Sequence, residues 1–213
     1  MKKILLFILL LSSLLILSSF VNTDLVNDGL KAANNGNYKE AFKLWKKAAS
    51  QGNANAQYNL GVMYDKGQGI KRDYKEAIKW YKKAANNGNV NAQYNLGIIY
   101  SNGKVVKRDY KEAIKWYKKA ADQGDADAQY NLGVMYRDGQ GVKKDYKEAF
   151  KWFKKAADQG KAKAQHNLGF MYAKGQGVRQ NLTLAKEYFG KACDKGYQEG
   201  CYNYKILNEK GIQ

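Results

Sequence analysis

The feature that most constrains this chain is an internal repeat with a constant period of 36 residues. The segment AQYNLGVMY at residues 56–64 returns at residues 92–100, 128–136 and 164–172 without any insertion. A second segment, DYKEAIKWYKKAA, begins at Asp73, returns from Asp109 and Asp145, and returns more loosely from Asn181. A fixed period of this length is typical of architectures in which each repeat buries an apolar face against its neighbours. The chain is therefore expected to be a stack of similar repeats.

The first segment of each repeat predicts a helix with one buried face, because its apolar residues recur at helical spacing. In the first full repeat these residues are Ala56, Leu60, Met63 and Tyr64. Gly61 lies in the middle of this helix, at a cost of about 1 kcal/mol relative to alanine. Its return in every repeat predicts a close helix crossing at which a side chain would clash. Gly67 is expected to end the helix, since glycine accepts the left-handed C-cap conformation.

The second segment predicts an antiparallel partner helix. Asp73 is the expected N-cap, and Glu76 three residues later gives the spacing of a capping box. The expected buried face shares helical spacing and consists of Tyr74, Ala77, Tyr81 and Ala84. Gly88 is expected to end this helix. Since strand-like alternation is absent, the predicted fold class is all-α, with about eleven helices.

The repeat pattern A-x-x-x-L-G-x-x-Y-x-x-G-x-G-V-x-x-D-Y-x-x-A-x-x-W-Y-x-K-A-A resembles the Sel1-like repeat, a longer-looped relative of the tetratricopeptide repeat. The resemblance covers residues 54–199 as four repeats and implies a right-handed α-α superhelix, a solenoid whose concave face is lined by the first helices. Residues 24–53 have a shorter loop and are similar to a plain tetratricopeptide repeat, and residues 200–213 are the expected C-terminal capping helix. One departure from the pattern is Gly103-Lys104-Val105, which lacks the second loop glycine.

Residues 1–23 are expected to be a signal peptide. Lys2 and Lys3 precede an apolar run from Ile4 to Leu17, which is shorter than the ~20 residues of a membrane-spanning helix. An uncleaved membrane anchor is the alternative interpretation. Both interpretations predict an exported protein, either periplasmic or secreted.

The two cysteines, Cys193 and Cys201, are expected to form a disulfide. By repeat register Cys193 lies near the end of a second helix and Cys201 in the first turn of the helix that follows. These positions face each other across the turn at Gly196, so a bond is sterically sensible in an oxidising compartment. A pair of free thiols is the alternative. The C-x7-C spacing resembles the secreted cysteine-rich Sel1 proteins of the Hcp family, in which most repeats carry the bridge.

The Hcp resemblance implies a second function class, since members of that family are described as penicillin-binding proteins with weak β-lactamase activity. Ser101 and Lys104 match the S-x-x-K motif of serine β-lactamases, but Gly103 interrupts the helix that this motif requires. We therefore assign no catalytic residue. The single histidine, His166, is interpreted as a solvent-facing aromatic replacement, and the sequence predicts no metal site and no cofactor.

The candidate binding residues lie on the first helices, where the tetratricopeptide register predicts a concave face. Two series recur at the period of the repeat: Tyr58, Tyr94, Tyr130 and His166, and Asn59, Asn95, Asn131 and Asn167. A third position varies and carries Asp65, Ser101, Arg137 and Ala173. Asparagine offers a donor and an acceptor to an extended peptide, and tyrosine adds rigid contact area. Two interpretations of the asparagines stay open, namely ligand contact and packing between neighbouring helices.

The chain carries a formal net charge of +18, which favours acidic partners. Lysines at i, i+4 and i+7 of the second helices predict a basic stripe, as at Lys75, Lys79 and Lys82. Anionic envelope polymers or lipid surfaces are candidate partners, whereas a solvated helix face is the simpler interpretation. Export argues against nucleic acid as a partner. The predicted function is a monomeric scaffold that binds a protein or peptide.

Overall fold

The computed structural model describes residues 23–212, and every regular element in that range is a helix. The expected signal peptide, residues 1–23, lies outside the described residues except for Thr23. None of the helices within residues 23–212 has both the length and the apolar character needed to cross a membrane.

Eleven helices are described, as expected from the sequence. Residues 23–34 form α1. The helices that follow are α2 Tyr38–Ser50, α3 Ala54–Lys66, α4 Tyr74–Asn86, α5 Val90–Asn102, α6 Tyr110–Asp122, α7 Ala126–Asp138, α8 Tyr146–Asp158, α9 Ala162–Lys174, α10 Leu182–Asp194 and α11 Gln198–Glu209. The predicted all-α fold class is confirmed.

The described chain divides into two compact parts. The N-terminal part ends at Gln93, and the C-terminal part begins at Tyr94. In the N-terminal part α3 packs against both α2 and α4. In the C-terminal part each helix from α6 to α11 packs against the next one along the chain. Consecutive helix pairs therefore build both cores.

The mid-helix glycines mark close crossings, as the sequence predicted. A Cβ atom placed on Gly133 would lie 2.5 Å from Cδ1 of Phe153, which leaves no room for a side chain. The same conflict occurs in the other repeats, at Gly61 with Tyr81, Gly97 with Tyr117 and Gly169 with Phe189. Each first helix is therefore seated against one aromatic ring of the second helix that follows it.

The second helices begin at the predicted N-caps, but the capping box is incomplete. The Asp73 carboxylate accepts a hydrogen bond from the backbone N–H of Glu76 at 3.1 Å. The cap's own N–H, which a capping box would give to the glutamate, donates instead to the carbonyl of Tyr64 at 2.9 Å. The Glu76 carboxylate pairs with Lys79 at 3.0 Å. The bond to Tyr64 also satisfies a carbonyl at the end of α3, so one contact serves both helices.

The prediction that Tyr74 belongs to the buried face is wrong. Ala77, Tyr81 and Ala84 are buried, but Tyr74 is 41% exposed. It is the first residue of α4, and its ring lies beside Arg72, whose guanidinium carbon is 5.8 Å from the ring centroid. The buried face thus starts one turn later than its periodicity indicates.

A recurring hydrogen bond closes the turn between each second helix and the next first helix. The Nε2 atom of Gln129, for example, donates to the carbonyl of Ala121 at 3.1 Å. The equivalent bonds join Gln57 to Ala49, Gln93 to Ala85 and Gln165 to Ala157. One period later these two positions are Cys201 and Cys193, and the predicted disulfide between them is confirmed, with a Cα–Cα distance of 4.5 Å. A covalent bond therefore replaces the glutamine contact at the last turn.

Candidate ligand-binding groove on the first-helix face

The aromatic series of the predicted site packs against the aromatic rings at the glycine crossings. The Tyr130 ring centroid lies 5.7 Å from that of Phe153, and Tyr58, Tyr94 and His166 make the equivalent contacts with Tyr81, Tyr117 and Phe189. All four side chains are half-buried. This series therefore contributes to packing and also presents its outer edge on the first-helix face.

The asparagine series connects neighbouring repeats in the C-terminal part. Asn131 lies close enough to the hydroxyls of Tyr94 and Tyr117 in the preceding repeat to act against the rise in their pKa values. Asn167 accepts a hydrogen bond from Nη1 of Arg137 at 2.6 Å and donates to the carbonyl of Lys163 at 2.8 Å. Asn59 and Asn95 are half-buried at the equivalent positions of α3 and α5. At Asn131 and Asn167 these contacts favour packing, the second of the two interpretations.

Sequence analysis missed one member of this series, Asn203 on α11. Its Nδ2 atom lies 3.1 Å from Nε2 of His166 and also donates to the carbonyl of Glu199 at 2.9 Å. Asn203 follows Asn167 by one period, so extending the repeat into the last helix would have found it.

His166 is only partly solvent-facing, like the tyrosines of its series. Its ring is half-buried, with centroids 4.8 Å from Phe170 and 4.9 Å from Tyr197. Burial lowers the pKa of His166 because it penalises the charged imidazolium, while Glu199 acts in the opposite direction. His166 thus supports a small aromatic cluster.

The residue type at the variable position of the first helices depends on the aromatic residue that it faces on the second helix. Where the second helix carries a tyrosine, the variable residue contacts its hydroxyl: Tyr81 lies 3.5 Å from an Asp65 oxygen, and Tyr117 lies 3.3 Å from Ser101 Oγ. Burial raises the pKa of Tyr117 to about 12, although its hydrogen bond with Ser101 opposes the shift. In these two repeats the variable residue therefore has a packing role.

In the next repeat the hydroxyl is absent, because Phe153 replaces tyrosine, and the variable residue is Arg137. Its guanidinium turns to the next residue, with Nε 2.7 Å and Nη2 2.9 Å from the two carboxylate oxygens of Asp138. This hydrogen bonding raises the pKa of Arg137 and lowers the pKa of Asp138. The contacts with Asp138 and Asn167 together fix the direction of the Arg137 guanidinium, which has no buried hydroxyl to contact.

Arg137 lines a groove of about 240 Å³ between α7 and α9. The other lining residues come from α9 and the loop after it: Asn167, Phe170, Met171, Lys174 and Gln176. Phe170 is 37% exposed and occupies a position that carries valine or isoleucine in the other repeats. The Lys174 ammonium lies 5.8 Å from the Phe170 ring centroid. The groove therefore combines two cations with an exposed aromatic ring.

The serine motif considered for β-lactamase chemistry lacks the helical arrangement that such chemistry requires, as its glycine predicted. The Ser101 hydroxyl donates to the carbonyl of Ile98 at 3.0 Å and contacts Tyr117. Lys104 follows Gly103, which has a φ of 68° and ends α5. Across residues 23–212, acidic, cysteine and histidine side chains form no cluster of three that could hold a metal ion.

The basic residues form a second surface, on the loops and the starts of the second helices. Lys75, Lys79 and Lys82 are exposed on α4, as the predicted stripe requires. In the C-terminal part a depression of about 670 Å³ is lined by lysines and tyrosines that include Lys143, Lys144, Tyr136 and Tyr146. The Lys144 ammonium lies 5.8 Å from the Tyr146 ring centroid, and Arg108 lies similarly beside Tyr110.

Comparison with solved structures finds close similarity to repeat proteins of known fold. One is c5321, a protective antigen present in uropathogenic Escherichia coli strains, with 35% identity and a TM-score of 0.86. The match covers 90% of this chain and 42% of c5321, so the chain spans about two fifths of that structure. A Sel1 repeat protein from Oxalobacter formigenes shares 31% identity with a TM-score of 0.77, covering 86% of this chain and 84% of that one. Helicobacter pylori cysteine rich protein B shares 26% identity over 62% of this chain and 95% of its own, with a TM-score of 0.49.

A search of the curated proteins finds no match. The Sel1 repeat model matches residues 28–53, 54–89, 90–125, 126–161 and 162–197, which is most of the chain. The matched ranges follow the same helix pairs that the structure describes. The chain belongs to the Sel1 repeat family.

Proposed function

We propose that this chain is an exported scaffold that binds an extended peptide segment of a partner protein on its first-helix face. Sel1 repeat scaffolds typically mediate protein–protein interaction. The observation that carries the proposal is the groove between α7 and α9, where Arg137 contacts no buried hydroxyl and lines the same groove as the exposed ring of Phe170. A fixed cation next to an exposed aromatic residue is the composition of an interaction hot spot.

Export is supported by the Cys193–Cys201 disulfide, because such bonds persist in oxidising compartments. It is also supported by the signal-like residues 1–23. The proposal is a periplasmic or secreted protein. Fractionation of the native cells, with antibody detection, tests it: the protein is expected outside the cytoplasm, and a wholly cytoplasmic protein would contradict export.

The binding proposal is tested with purified, disulfide-intact protein and a random peptide library. We expect Arg137→Gln to weaken capture of the selected peptides by about tenfold, as expected for loss of a charged hydrogen bond. The matched control is Arg179→Gln, which removes the same charge from an exposed loop position away from the groove. Equal binding by both variants, or no selected peptide at all, would contradict the proposal.

A second candidate function is binding of anionic envelope polymers or lipid surfaces by the basic loops. The paired cations and tyrosines, such as Lys144 with Tyr146, favour it. Retention on an acidic polysaccharide should then fall steeply between about 50 and 200 mM salt. The β-lactam alternative implied by the Hcp resemblance gains no support from the contacts of Ser101.

A further inference from the structure

We infer that the groove between α7 and α9 binds an acidic side chain and a large apolar side chain that are adjacent in an internal stretch of the partner's chain. This inference rests on the proposed peptide-binding function and adds the chemistry of the ligand. It concerns the residues of the C-terminal part alone.

The electrostatic part of the inference starts from the hydrogen-bonding capacity of Arg137. A guanidinium carries five N–H donors. Among the described residues, the contacts with Asp138 and Asn167 use three of them, which leaves two for a ligand. Arg137 and Lys174 together outweigh the single negative charge of Asp138. A carboxylate is therefore the group that best complements the groove, since charged hydrogen bonds are the strongest available to it.

The apolar part of the inference starts from Phe170. Its ring is backed by Phe189, with centroids 5.3 Å apart, and by His166 at 4.8 Å. This support holds the exposed ring in place, so that binding carries little entropic cost for ordering it. The groove, at about 240 Å³, is smaller than the ~300 Å³ at which pockets for drug-sized ligands begin. Its volume fits one large apolar side chain, while an adjacent carboxylate binds Arg137 on the groove lining.

The choice of an internal segment rests on what flanks the groove in the C-terminal part. Asn131 lies on α7, and Asn203 and the exposed Tyr202 lie on α11. The first-helix face thus continues with polar and aromatic residues on both sides of the groove. A chain that enters the groove can therefore continue beyond it, which a C-terminal carboxylate would not do.

The test uses three mixed decapeptide pools, each with an amidated C-terminus and equal mixtures at every unassigned position. The central pairs are Glu-Phe, Gln-Phe and Glu-Ala, with both orders of each pair present in its pool. The amount of each pool that immobilised protein retains is measured. Wild-type protein is expected to retain about tenfold more of the Glu-Phe pool than of either other pool. Arg137→Gln should abolish the preference for Glu over Gln and keep the preference for Phe over Ala.

Two further variants make the result specific to the groove. Phe170→Val, which introduces the residue present at positions 62 and 134, should abolish the preference for Phe over Ala. Arg179→Gln should change neither preference. Circular dichroism and thermal unfolding identify variants that fail to fold, and an unfolded Arg137→Gln is replaced by Arg137→Lys, which should reduce the Glu preference without abolishing it.

The outcomes separate the inference from the function on which it rests. Retention of all three pools in equal amounts would overturn the inference while leaving peptide binding intact. If no pool is retained and the random library also yields no bound peptide, both the inference and the peptide-binding function are overturned. A fourth decapeptide pool carries Phe at a free C-terminus. Stronger retention of this pool than of the amidated Glu-Phe pool would overturn the choice of an internal segment.

Discussion

Two successive repeats, residues 90–125 and 126–161, each form two helices of 13 residues but use one position differently. In the first, Ser101 contacts the hydroxyl of the buried Tyr117. In the second, Phe153 has no hydroxyl, and Arg137 turns toward Asp138 and Asn167. The difference teaches that variation between repeats does not by itself identify a ligand contact. Asp65 and Ser101 vary for a packing reason, whereas Arg137 varies because that reason has gone.

The largest effect is expected where the two repeats are alike, at the glycine crossings. Gly97→Ala and Gly133→Ala should each lower the free energy of unfolding by about 2 kcal/mol, because the clash with the aromatic ring outweighs the gain in helix propensity. Urea unfolding measures it. The control is Gly190→Ala, whose Cβ would meet only the exposed Tyr204 ring at 3.2 Å and should cost under about 0.5 kcal/mol. A clear difference between Gly97→Ala and Gly133→Ala would break the comparison.

The next effect depends on pH and belongs to the 90–125 repeat alone. The folded pKa of Tyr117, about 12, exceeds its unfolded value of 10.0, so the neutral hydroxyl stabilises the fold fully below pH 10 and progressively less as the pH rises toward 12. Between pH 9 and pH 11 this residue should remove about 1.3 kcal/mol of stability. Urea unfolding of Tyr117→Phe should show correspondingly weaker pH dependence than wild type. Identical pH dependence in the two proteins would show that burial does not raise the pKa of Tyr117 as described.

The smallest effect distinguishes the two variable residues directly. Ser101→Ala should cost about 1 kcal/mol of unfolding free energy, because the buried Tyr117 hydroxyl loses a partner. Arg137→Gln should change it by less than about 0.5 kcal/mol, because the pair with Asp138 is partly exposed. Thermal and urea unfolding measure both. A larger cost for Arg137→Gln than for Ser101→Ala would assign Arg137 to packing.

Much of the fold follows from the sequence because each repeat is short and its contacts are local. The period fixes which residues share a face, so the buried alanines, the glycine crossing at Gly133 and the Cys193–Cys201 pairing could all be predicted. The incomplete capping box could not, because the N–H of Asp73 finds its partner in the carbonyl of Tyr64, which lies nine residues earlier.

The candidate site was predicted less completely, since register gives a side chain's position but not its direction. The period placed Arg137 and Asn167 on one face, but not the hydrogen bond between them. It also gave no sign that Asn131 reaches the hydroxyls of the preceding repeat. However, the sequence does show that phenylalanine at position 153 replaces the tyrosine found one period earlier, at position 117. This difference was a usable signal for the changed role of Arg137.

The most direct test of the ligand-binding groove is a nuclear magnetic resonance titration of labelled protein with a peptide selected from the Glu-Phe pool. The account predicts that the resonances that shift most belong to Arg137, Asn167 and Phe170, while those of Ser101 and Asn102 stay in place. Shifts concentrated at Ser101, or at the basic loop residues Lys143 and Lys144, would contradict it.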